Sequence, residues 1–114
     1  MNMDNLVSAV AFAALLVAST PVFAAGDAVA GQQKISSCKG CHGIPGYRTA
    51  YPSVYNVPKL GGQHAEYIVK ALQAYKSGDR SHPSMRAIAA GLSDKDMADV
   101  AAYYSAPAVQ AAAK

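Results

Sequence analysis

An all-α fold is predicted for this 114-residue chain by three observations. Apolar residues recur at helical spacing, as Ile68, Leu72 and Tyr75 do at i, i+4 and i+7. Residues that start and stop helices stand at the ends of the periodic stretches: Asp27 and Ser93 as caps, Gly78 and Pro107 as stops. No stretch shows the strict alternation of a half-buried strand.

The first segment is set apart from the rest. Leu6 to Ala18 is almost wholly apolar, and Val22-Phe23-Ala24 suits a cleavage site. This is the pattern of a Sec-type signal peptide, residues 1–24, cleaved from a chain exported to the periplasm. It departs from the usual form in carrying Asp4, not Lys or Arg, ahead of the apolar run. Ser19, Thr20 and Pro21 interrupt the run short of a comfortable membrane span, so no stable insertion is expected after cleavage.

A first helix follows, capped by Asp27 and running to about Ser37. Gly31 inside it is unfavourable on propensity alone. Residues 43–62, "GIPGYRTAYPSVYNVPKLGG", hold three Pro, four Gly and three Tyr and read as a long, turn-rich loop. So long a loop in a small domain usually wraps a ligand or carries function. A second helix is predicted from about Gln63 to Ser77, ended by Gly78. "DRSHPSMRAIAAG" is irregular, with room for a short helix from Ser84 to Ala90. The last helix starts at a capping-box-like Ser93 and Asp96 and runs towards Pro107. The domain thus spans residues 25–106, with 107–114 a flexible tail.

The composition narrows the function. Residues are 52% hydrophobic, but much of this is Ala, with no Trp and only two Phe. A core this light usually needs a disulfide, a metal or a bound cofactor. Loss of residues 1–24 removes Asp4 and no basic residue, leaving ten Lys and Arg against six Asp and Glu, a formal +4. The charges form no run, so nucleic acid is not implied. Acidic protein partners are more plausible.

The only two cysteines lie in "SSCKGCHG", residues 36–43. A dithiol switch would place C-x-x-C after a strand in a βαβ unit, and none is predicted here. A zinc site would need two further ligands, and His64 and His82 are unpaired in sequence. Covalent haem fits best: in C-x-x-C-H each thiol of Cys38 and Cys41 bonds one vinyl group, and the adjacent His42 coordinates iron. Haem would also supply the missing core. Two thioethers remain in the exported chain as a second axial ligand. Met97 sits in an amphipathic helix and reads as core filler. Met85 lies in "SHPSMRA", stiffened by Pro83, 43 residues past His42, and is preferred. His82 competes as a bis-His ligand, its plainer reading being an exposed loop histidine.

Taken together, "CKGCHG", "VPKLGGQHAEYIVKALQAYKSGDR", "HPSM" and "GLSDKDMADVAAYYSA" resemble the class I c-type cytochromes. The resemblance is nearest to small monohaem cytochromes c553 and to one half of the dihaem cytochromes c4. It implies the class I cytochrome c fold, three main helices and long loops around one haem c. Cys38 and Cys41 would be the thioether anchors, with His42 and Met85 the axial iron ligands. Pro58 would match the proline whose carbonyl accepts the imidazole's hydrogen bond, and Gly31 the small residue where the first helix crosses the last, against Tyr103 or Tyr104. One C-x-x-C-H motif is present where a cytochrome c4 has two. Tyr47, Tyr51, Tyr55, Arg48 and Arg80 are candidates to cover the haem edge or its propionates, with solvated loop residues as the alternative.

The function implied is electron transfer by a monomeric, periplasmic, non-enzymatic carrier. It would serve redox proteins such as membrane respiratory complexes or periplasmic reductases. Lys39, Lys59, Lys76 and Arg86 are candidates to steer acidic partners. The alternatives are a haem enzyme or gas-binding protein with a labile Met85, and a dedicated haem subunit of an oxidoreductase.

Overall fold

The computed structural model describes residues 25–50 and 53–112; the expected signal peptide, Tyr51 and Pro52 lie outside the described residues. The fold is all-α. Apart from one isolated antiparallel bridge between Arg48 and Asn56, no strand occurs among the described residues.

The chain enters through α1 (Ala28–Lys34) and α2 (Ser36–His42). Asp27 is extended, and its carboxylate accepts the N–H groups of Val29 and Ala30 at 2.8 and 3.2 Å. That satisfies donors the first turn would leave orphaned. A single step out of helical geometry at Ile35 divides the two helices. Helix was expected only to about Ser37. It runs on through both cysteines and Gly40 and ends at Gly43, whose N–H donates to the Lys39 carbonyl at 3.0 Å.

The middle helix, α3 (Ala65–Ser77), begins two residues later than expected and ends at Gly78, whose φ of +92° is left-handed. Gly78 is the residue type that adopts this conformation without a Cβ clash. The short helix α4 (Pro83–Ala90) has Pro83 in its first turn, where no N–H is lost. The last long helix, α5 (Asp94–Ser105), opens on a complete capping box: Ser93 Oγ accepts the Asp96 N–H at 3.1 Å, and Asp96 Oδ2 accepts the Ser93 N–H at 2.9 Å. Residues 107–114, expected to be a flexible tail, are helical over α6 (Pro107–Ala112). Alanine propensity favours that turn, and Gln110 Nε2 donating to the Ser105 carbonyl at 2.9 Å and Val109 against the core hold it in place.

The most extensive helix contact is the crossing of α1 with α5. Gly31 lies there with its Cα facing the Asp99 carbonyl and the Tyr103 Cβ, and an added Cβ would overlap that carbonyl oxygen. This accounts for a glycine that propensity disfavours. Beside the crossing stands Asp99, only 1% exposed. Its carboxylate accepts the Asp27 N–H at 2.8 Å and ammonium protons of Lys34 and Lys95 at 2.7 Å each. Lys34 also pairs with Asp96 at 2.8 Å. Lys34 first, then Lys95 and the Asp27 amide, hold the Asp99 carboxyl well below the usual range, and Lys34 is the largest influence lowering Asp96 to about 2.

The hydrophobic core is small. Ile35 and Cys38 from the first helical arm, Ile68, Val69 and Leu72 from α3, and Met97, Val100, Ala101 and Tyr104 from α5 form one buried cluster. Among the described residues, Tyr104 is the one aromatic side chain in this buried cluster.

Candidate haem site

A cleft of about 450 Å³ opens beside this core. Cys38, Cys41 and His42 wall it from α2, Met85 and Ile88 from α4, and Pro58 and Leu60 from the loop that precedes α3. On α3 the residues Tyr67, Ala71 and Tyr75 form an i, i+4, i+8 stripe along it, flanked by Ile68 and Leu72. Val100 of α5 closes the apolar wall.

Helix geometry explains the α2 contribution. Cys38 and Cys41 are three residues apart on one turn, so their sulfurs share a face, and His42 is one step further round. The two cysteines are not joined to each other in a disulfide. Burial pushes the Cys38 thiol up from its ordinary value, the reverse of the lowered value that makes a dithiol reactive.

The His42 ring is oriented by the backbone. Its Nδ1 lies 2.6 Å from the carbonyl oxygen of Pro58. A carbonyl only accepts, so Nδ1 carries the proton and donates, and in the neutral ring Nε2 keeps a free lone pair for a metal. The irregular loop supplies this partner because Pro58 stands outside any helix, so its carbonyl is not taken up in a helical ladder.

The two candidate thioethers part company. Met97 is fully buried within the helix core and is absent from the cleft wall. Met85 is half-buried and lines the cleft. His82, expected as an exposed loop residue or a rival ligand, is half-buried and caps α4. Its Nδ1 accepts the Met85 N–H at 3.3 Å. In the neutral ring that leaves Nε2 protonated, so neither nitrogen offers a metal a free lone pair. His64 is exposed at the start of α3 and outside the cleft, and no group of three or more His, Cys, Asp or Glu able to hold a metal occurs among the described residues.

Within the long loop the described residues 47–49 and 55–57 bond to one another. Thr49 and Tyr55 exchange bonds, Thr49 N–H to the Tyr55 carbonyl and Tyr55 N–H to Thr49 Oγ1, both at 3.0 Å, and Val57 N–H donates to the Tyr47 carbonyl at 3.0 Å. This narrow hairpin carries Tyr55 to the cleft, where Arg80 also stands, its guanidinium 4.7 Å from the centre of the Tyr75 ring. Tyr47 and Arg48 are outside the cleft wall, and Tyr51 is outside the described residues. Tyr67 was missed in the sequence; its signal was the four-residue spacing to Ala71 and Tyr75.

The donor set fits a covalently held haem. Two thiols share one helical turn, an imidazole presents its free nitrogen, a thioether lines the same cleft, and the remaining wall is largely apolar. Comparison with known proteins agrees. The family model for cytochrome c matches residues 24–105. The chain belongs to the cytochrome c family. It is 46% identical over 84 residues to cytochrome c-554(548) of Halomonas halodenitrificans, a match covering 71% of this chain and 96% of that protein. It is 44% identical over 82 residues to cytochrome c4 of Pseudomonas aeruginosa, covering 72% of this chain but only 39% of that protein. The "thiosulfate dehydrogenase electron acceptor" of Stutzerimonas stutzeri is 42% identical over 66 residues, 58% of this chain and 29% of the relative. As a class I c-type cytochrome, this protein is an electron carrier with covalent haem c, and its all-α fold is that of the class.

Proposed function

We propose that this cytochrome is a periplasmic one-electron carrier, with Cys38 and Cys41 as thioether anchors and His42 and Met85 as axial ligands. The observation that carries the reading is the shared cleft. The C-x-x-C-H turn of α2, with its imidazole already oriented by Pro58, and Met85 of α4 wall one apolar cavity. A haem bound there supplies a single electron through the Fe(II)/Fe(III) couple.

The residues of the chain set the conditions for that couple. The Pro58 carbonyl polarises the His42 ring and raises its basicity as a ligand. The soft Met85 sulfur favours the reduced metal and so a higher potential. Were His42 and Met85 both to hold the iron, small molecules would find no open coordination site, as the carrier reading requires and the enzymatic and gas-binding alternatives do not. Exposed Lys39, beside the anchors, and the exposed apolar residues Ile44 and Val54 of the long loop suit a brief, weak contact with a redox partner. One relative is named as an electron acceptor of a dehydrogenase, a partner class that this chain also suits. Lys76 is engaged elsewhere, donating to the Leu92 carbonyl at 2.6 Å.

The exported protein tests this directly. A pyridine haemochrome spectrum is expected to show one haem per chain held through two saturated vinyl positions. Reduced protein is expected to bind CO slowly or not at all at neutral pH. Rapid CO binding would favour an open or labile site and overturn the carrier reading.

A further inference from the structure

His82 belongs to none of the ligand roles above, yet it is tied to three other residues at the cleft. Its backbone is extended (φ −161°, ψ 109°), and its Nδ1 accepts the N–H of Met85, in the first turn of α4. Its ring lies 4.3 Å, centroid to centroid, from Tyr55 of the loop hairpin and 6.3 Å, edge-on, from Tyr75 of α3. One imidazole therefore joins three separately folded pieces of the cleft wall at the backbone of the thioether residue.

We propose that His82 is a positioning residue: its cap on the Met85 amide, with its ring held against Tyr55 and Tyr75, fixes the first turn of α4 so that the Met85 sulfur stays at its place in the cleft. This rests on Met85 being the second axial ligand. The physical reason is local. An uncapped first turn frays, and Met85 is within that turn, so loss of the cap releases the backbone that carries the thioether. The aromatic contacts restrict the imidazole to the orientation in which Nδ1 faces the Met85 amide.

The test compares the ferric holoprotein with three variants by titration with imidazole, which competes with a thioether for iron, and by hydrogen exchange at the Met85 amide. His82→Ala is expected to bind imidazole roughly fivefold to tenfold more tightly and to exchange the Met85 amide faster by a similar factor, as loss of a helix cap implies. His82→Asn removes the ring but keeps an acceptor suited to an N-cap, and is expected to return both readouts to within about twofold of the unaltered protein. Ser93→Ala removes the cap of α5, away from the cleft, and is expected to leave imidazole binding unchanged. Should His82→Ala fail to load haem, His82→Leu, which fills space without an acceptor, carries the same comparison. Imidazole binding by the uncapped variant within twofold of the unaltered protein, or an equal response in Ser93→Ala, would overturn the proposal while leaving Met85 as ligand. A ferric spectrum of the unaltered protein without a thioether charge-transfer band would overturn the ligation reading and this proposal together.

Discussion

At the scale of single residues, the site turns on which atoms are already engaged. His42 gives its Nδ1 proton to Pro58 and keeps Nε2 open. His82 does the reverse, spending its Nδ1 lone pair on the Met85 amide. The two methionines divide in the same way, Met85 at the cleft and Met97 wholly inside the core. A cavity left by Met97→Ala is expected to cost about 2–5 kcal/mol of stability while leaving the ligation spectrum intact. Chemical denaturation alongside the ferric absorption spectrum checks both halves. The motif residues were legible because Cys38, Cys41 and His42 are neighbours in sequence, and Met97 was legible as core from its amphipathic helix. The capping role of His82 was hidden, because it depends on where a ring nitrogen meets a backbone amide.

At the scale of elements, the α1–α5 crossing closes the fold, and charge helps to hold it. Asp99 joins the Asp27 N–H that begins α1, Lys34 that ends it, and Lys95 on its own helix. Its folded value lies below the ordinary 3.8, as does that of Asp96 at about 2. Depressed carboxyls stabilise above their unfolded value, and the contribution is lost as pH falls through the folded one. We expect Tm to fall as the protein is acidified from about pH 4 to 2. Asp99→Asn is expected to lower Tm at neutral pH and to flatten the acid limb, measured by circular dichroism across that range. An acid limb unchanged in the variant would show that Asp99 is not the residue responsible. The starts of α1, α3 and α5 were plain from caps and spacing, within two residues at α3, whereas the break at Ile35 and the helix through both cysteines were not. Asp99 was not, since its lysine partner Lys34 is 65 positions away and a lone aspartate on a helix reads as solvated. The helical tail was also missed, because alanine-rich ends show their order only once a residue such as Val109 finds the core.

At the scale of the whole molecule, the small core and the cleft explain each other. A cluster with one aromatic residue is a light interior for this domain, and the apolar wall beside it is completed by a large flat ligand. The proposed anchors, imidazole and thioether come from α2 and α4, which the long loop and α3 separate in sequence, so the site is assembled only by tertiary packing. The decisive measurement is the ferric absorption spectrum of the holoprotein in the far red, taken with Met85→Ala and Met97→Ala beside it. The thioether-to-iron charge-transfer band is expected in the unaltered protein and in Met97→Ala, and absent from Met85→Ala. A band that survives Met85→Ala, or that is missing from the unaltered protein, would contradict ligation by His42 and Met85.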